Sequence, residues 1–293
     1  MPTVSYVYPN LSKVYLKSDT PRGGLIERWE LGRKLGCKYI EIPGTLVKNK
    51  TEERLLGKTI GQFLDEKDIQ QLYSKGADFP KELRYILHTE PSLGKADQYG
   101  QKISSPINWY DREWRIKHLE MIRLISLRLG KSADFIEIHP GYQRNRYEDV
   151  AVAILELIDG NKKAFGVEPL IMLENRTEQF ISKGRDIRAF WVYLESEHPE
   201  LVNKSGIVLD VQQLFTSTKL SFFNELNLIP PQCLRGFHIH TNHRAPMLND
   251  RIDWKIVFGI IKELEGKVLI NPEIHQKDKV KYSMEFCEKL LLK

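Results

Sequence analysis

The sequence predicts a single (β/α)8 TIM barrel. Eight short β-branched and aromatic runs recur along the 293 residues, each followed by a stretch with helical spacing of apolar side chains, and no composition break or Pro/Ser-rich linker divides the chain. A doubly wound sheet would show about five or six strands and a Gly-rich first turn. Neither a G-x-G-x-x-G nor a P-loop occurs. One domain is therefore expected over residues 1–293.

The runs are Val4 to Tyr8, Lys38 to Pro43, Arg84 to His88, Phe135 to His139, Leu170 to Glu174, Gly206 to Asp210, Arg235 to His240 and Lys267 to Glu273. Between the first two, Thr20 and Pro21 suit the start of a helix whose face carries Leu25, Ile26 and Trp29, with Gly36 just past its end. Asp111 precedes a helix with Leu119, Ile122, Ile125 and Leu129 at spacings of three and four, closed by Gly130. Tyr147 opens another on Val150, Ile154 and Ile158, expected to stop at Gly160, and Val280 to Leu291 is the last. The longest connections, Gly44 to Gln62 and Thr89 to Asp111, both follow strands and so belong to the face where barrel enzymes keep their chemistry.

Composition narrows the classes. With 41% hydrophobic and 28% charged residues the chain is neither disordered nor disulfide-stapled, and its net charge of +5 permits a polyanionic partner without requiring one. Cys37, Cys233 and Cys287 show no C-x-x-C spacing, the first residues lack the basic-then-apolar pattern of a signal peptide, and no apolar run reaches membrane length. A reducing, cytoplasmic location without membrane contact is expected.

Six strands end on a residue able to bind metal: His88, His139, Glu174, Asp210, His238 and Glu273. In a barrel those ends meet at one mouth, and imidazole with carboxylate suits Zn2+ or Mn2+. Each alone has a plainer role, as a hydrogen-bonded histidine or a helix cap. Together they would leave several polar groups unpaired unless a cation gathers them. Alternation places His238 and His240 on one side of their strand, with His238 the ligand and His240 facing substrate or supporting a ligand. His243 and His275 are expected in exposed loops.

The order H, H-P-G (His139 to Gly141), L-E-N (Leu173 to Asn175), L-D, R-G-F-H (Arg235 to His238) and N-P-E resembles endonuclease IV, within the xylose-isomerase-like barrels. The likeness runs from about residue 84 to 275. It implies an apurinic/apyrimidinic-site endonuclease that cleaves a phosphodiester with a metal-activated hydroxide. His88 and His139 would hold one metal, Glu174 would bridge, and Asp210, His238 and Glu273 would complete the second. Glu174 and His240 would then be the residues acting in catalysis. The family's third metal needs two histidines that are replaced here by Gln213 and Ile252, leaving Asp250 alone, so two cations per chain are expected.

Damaged or abasic DNA would be the partner. Trp109, Arg112, Tyr142, Arg144, Arg146 and Arg176 are the loop residues expected to meet its backbone, with Lys95 and Lys102 nearby. The stretch Arg251 to Trp254 also looks like the opening of the seventh helix in sugar isomerases and epimerases. In that alternative one metal on Glu174, Asp210, His238 and Glu273 acts on a small sugar; in a further one the barrel binds metal and nucleic acid without turnover.

Overall fold

All eight runs form strands, and each strand pairs in parallel with its sequence neighbours until the eighth closes on the first. The computed structural model describes residues 2–11, 22, 24–73, 79–89, 95–96, 102–103 and 107–292. The barrel strands are Thr3–Tyr8, Tyr39–Pro43, Tyr85–His88, Phe135–Ile138, Leu170–Glu174, Ser205–Asp210, Leu234–His238 and Lys267–Asn271. Closure runs through Thr3 beside Lys267 and Val7 beside Tyr39. Three expected strands were too long at their C-terminal ends: His139, His240 and Glu273 lie just past the ladder, in the first residues of the loops.

The helices that clothe the barrel follow from local chemistry. The first, α1 (Leu25–Lys34), buries Leu25, Arg28 and Gly32, so Ile26, expected on the inner face, is 38% exposed. Thr20 and Pro21 lie outside the described residues. Helix α2 (Arg112–Arg128) is capped as expected, with Asp111 Oδ1 accepting from the Glu113 and Trp114 N–H groups at 2.9 and 3.2 Å. Helix α3 (Tyr147–Phe165) does not stop at Gly160. That glycine sits in open space on the helix surface, where it is tolerated. The end comes at Gly166, whose φ of 70° is the left-handed turn that closes a helix.

Between strands and helices runs the main apolar core, including Leu87, Ile136, Ile138, Leu173, Leu209 and Phe237 from the outward faces of the strands. A smaller cluster, Val7, Tyr39, Ile86, Met172, Val208 and Leu269, fills the barrel itself. That inner plug is the floor on which the site stands. Among the described residues no helix is long and apolar enough to cross a membrane.

Candidate metal centre

Alternate strand residues face the barrel axis, and their character changes from floor to mouth. Two residues beyond the apolar plug the same faces carry Glu41 after Tyr39, His88 after Ile86, Glu174 after Met172, Asp210 after Val208 and Asn271 after Leu269. Glu137 and His139 follow Phe135 by two and four, while His238 and His240 follow Gly236. All of these polar side chains are buried. With Glu273, two residues past Asn271 and also buried, five carboxylates and four imidazoles share one enclosed space, a costly arrangement unless charge is balanced there.

The histidines show how that balance is met. His88 Nδ1 lies 3.0 Å from Glu41 Oε1, and His139 Nδ1 lies 3.0 Å from the Thr89 carbonyl oxygen. Each ring is thus oriented through one nitrogen, leaving the other to face Glu174. His88 Nε2 and His139 Nε2 approach Glu174 Oε2 to 3.2 and 3.0 Å. Although close, neither nitrogen and neither Glu174 oxygen has a hydrogen-bond partner of acceptable geometry. Donor atoms around a tetrahedral zinc stand about 3.4 Å apart. The spacings match the edges of a coordination shell, and the unpartnered buried atoms fit a divalent cation.

A second set adjoins it. Ligand atoms of Asp210, His238 and Glu273 lie within 4.8 Å of one another. His238 Nδ1 is 3.3 Å from Glu273 Oε2 and 3.8 Å from Glu174 Oε2, so Glu174 stands between the two sets as expected of a bridging carboxylate. Burial opposes ionisation of Glu174, but the His139 and His238 imidazoles outweigh it and hold its carboxyl well below the usual range. Burial likewise disfavours charge on His88 and His238, yet the facing carboxylates, Glu137 foremost, raise both well above the ordinary imidazole value.

His240 serves the second set from outside. Its Nδ1 accepts from the His243 N–H at 3.1 Å, which places the proton of the neutral ring on Nε2, 3.3 Å from Asp210 Oδ2 and 3.1 Å from Glu273 Oε2. Burial disfavours a charged ring, and Asp210 with Glu273 pulls the pKa up to about 10. A second proton would have to sit on Nδ1 and displace the His243 N–H, so the geometry is that of a neutral donor. His243 and His275 stack beyond it in exposed positions, with ring centroids 4.7 Å apart.

The motif residues hold this arrangement in place. Gly141, with φ 85°, leaves room for Asn145, whose Nδ2 would be 2.3 Å from an added Cβ. Asn145 Nδ2 donates to the Ile107 carbonyl at 2.9 Å, and the Gly141 N–H donates to Gln179 Oε1 at 2.7 Å. Asn175 brackets Asp210 by hydrogen bonds to its backbone N–H and carbonyl. The residues at the family's third-metal positions do other work. Gln213 donates its N–H to Asp210 Oδ1 at 2.8 Å, Ile252 is buried, and Asp250 Oδ2 accepts from Thr241, the Met247 N–H and Trp254.

Of the loop residues expected to meet DNA, Trp109 is not available. It is fully buried, and its indole N–H donates to the His139 carbonyl at 2.8 Å. An aromatic in a polar loop reads as exposed until the loop's path is known. Arg112, Arg144 and Arg146 are exposed, Tyr142 and Arg176 half-buried. Arg144 lies over the Tyr110 ring, Arg146 pairs with Glu148 and Asp149, and Arg176 reaches to 3.9 Å from Glu174 Oε1. The side chains of Lys95 and Lys102 lie outside the described residues. Glu41, Glu137 and Asn271 are additions that strand-end reading passed over.

No family model and no curated protein sequence matches the chain. Solved structures do. The chain is similar to D-psicose 3-epimerase from Clostridium cellulolyticum H10 at 13% identity and a TM-score of 0.55, with 99% of each chain covered. It is similar to an AP endonuclease, family 2, from Brucella melitensis at 11% identity and a TM-score of 0.56, again over 99% of each. A xylose isomerase-like TIM barrel protein from Mycobacterium smegmatis, in complex with magnesium, gives 12% and 0.53 over 99% of this chain and 96% of that one. The shared fold is the (β/α)8 TIM barrel. At such identity the likeness speaks for the fold, and the chemistry rests on the site.

Proposed function

We propose that the chain is a divalent-cation-dependent enzyme that hydrolyses a phosphodiester, with DNA carrying an abasic or damaged site as its substrate. The supporting observation is the orientation of His88 and His139, each tied at Nδ1 and presenting an unpartnered Nε2 to Glu174. A centre using only Glu174, Asp210, His238 and Glu273 has no need of those two rings. With two cations bound, the centre would gain Lewis acidity toward the phosphate and a lowered pKa for attacking water. Glu174 would hold both sites in register, His240 would fix the Asp210 and Glu273 oxygens, and Arg176 at the mouth would face an anionic phosphate.

A second reading is a sugar isomerase or epimerase. Glu174 and Glu273 both approach His238 Nδ1, at 3.8 and 3.3 Å, so two carboxylates would be available to move a proton on a sugar held beside one cation. Two parallel assays decide. Protein purified without chelator should carry two Zn2+ or Mn2+ per chain, lose one on His139→Ala, and nick a duplex with a single abasic site. Glu174→Gln should abolish the nicking. Conversion of a ketose to its epimer, with one cation unaffected by His139→Ala and no nicking, would replace this reading by the second. Cation and DNA binding without turnover would leave a non-catalytic barrel.

A further inference from the structure

We propose that Glu137 is itself a cation ligand, so that one of the two cations is held by Glu137, Glu174 and His238 on the floor of the centre. The proposal rests on the metal-dependent reading above and adds a residue outside the six strand-end ligands. Glu137 stands beside His88 in the ladder, two residues below His139, and is 2% exposed. Ligand atoms of Glu137, Glu174 and His238 lie within 4.8 Å of one another. Glu137 Oε1 is 3.1 Å from His238 Nε2 and 3.5 Å from His88 Nε2, yet it has no hydrogen-bond partner. Those spacings again match donor atoms sharing a cation.

The outer carboxylates differ. At Asp210 both oxygens meet protein donors, Oδ1 the Gln213 N–H and Oδ2 His240 Nε2, while Glu273 Oε2 lies 3.1 Å from the same His240 nitrogen. Glu137 Oε1 and both Glu174 oxygens are left for something else. A buried carboxylate oxygen without a well-aligned protein donor is stabilised as an anion by a cation within bonding distance. Two carboxylates with an imidazole suit Mn2+ or Zn2+.

Mn2+ binding to the full chain, measured by equilibrium dialysis and by electron paramagnetic resonance, tests the assignment. Glu137→Gln keeps the shape and the hydrogen-bond acceptor but is a poor ligand, so it should lose one Mn2+ per chain or weaken it by about tenfold or more. Melting in the presence of a chelator should show the variant folded. If Glu137→Gln binds Mn2+ as the native chain does while His139→Ala loses a cation, Glu137 is no ligand and the metal-dependent reading stands. If the native chain binds neither Mn2+ nor Zn2+, both fall. Anomalous scattering from Mn2+-soaked native crystals gives an independent answer: a peak about 2.2 Å from a Glu137 oxygen is expected, and peaks confined to the His139 and Asp210 sides would overturn the assignment.

Discussion

Asn175 grips Asp210 by both of its backbone polar groups: its Oδ1 accepts from the Asp210 N–H at 2.8 Å, and its Nδ2 donates to the Asp210 carbonyl at 3.2 Å. The side chain thus sets where the sixth strand ends and where its terminal carboxylate points. Asn175→Ala leaves two buried backbone groups unpaired, a loss of about 2 kcal/mol or more. Chemical denaturation in chelator should show this loss. Because Asp210 is freed as well, cation affinity should fall in the same variant, and Asn175→Asp should recover only the bond to the N–H.

His118 gives the acid limb of stability a separate source. Its ring stacks on Trp114 at 5.0 Å and meets Trp109 edge-on at 5.3 Å, and burial alone lowers its pKa to about 3. A buried histidine with a depressed pKa is neutral in the fold and takes a proton when unfolded. Its contribution is therefore whole above the unfolded value of 6.5 and is lost as pH falls from there toward 3. His118→Phe should flatten the decline between those values by up to about 1.4 kcal/mol per pH unit. Parallel unfolding curves for the two proteins across that range would refute it.

Cations should stabilise the fold. A ligand present at a hundred times its dissociation constant adds about 2.7 kcal/mol, so chelation should lower the melting temperature and Mn2+ or Zn2+ should restore it. His139→Ala should show a smaller response to chelator than the native chain. An equal response in both would mean that the His88, His139 and Glu174 set holds no cation.

Gly141→Ala should be among the more damaging single-methyl changes in the molecule. Its φ of 85° disfavours any side chain, and the new Cβ would press on Asn145 Nδ2 and on the Ile107 carbonyl. A loss of about 2–3 kcal/mol is expected by denaturation, together with weaker cation binding, since His139 lies two residues away. Gly160→Ala, in open space on α3, should be neutral or slightly stabilising.

The eight strands and the convergence of six polar strand-end residues on one mouth are legible in the sequence because each of those apolar runs stops at a histidine or a carboxylate. His139, His240 and Glu273 fall just past their strands, an offset that does not disturb the convergence. Glu41 and Glu137 were passed over for a specific reason. They sit inside apolar runs, YIEIP and FIEIH, and only stepping back two residues from Pro43 and His139 shows that they share the inward face. Asn271, two before Glu273, follows the same parity. Trp109 is different in kind: its burial depends on how the loop from Ile107 folds against Asn145, which no local pattern encodes. Ile26 failed because the buried face of α1 is set by Arg28 and Gly32, residues that hydropathy does not mark.

Trp109 also gives the centre an optical voice. Its indole N–H is bonded to the carbonyl of His139, and its ring is packed in apolar surroundings beside His118 and Trp114. Any pull on the His139 imidazole is passed through one residue to the indole, so loading the site should alter the intensity or colour of tryptophan emission. Trp109→Phe would silence that signal while leaving the other four indoles to glow unchanged.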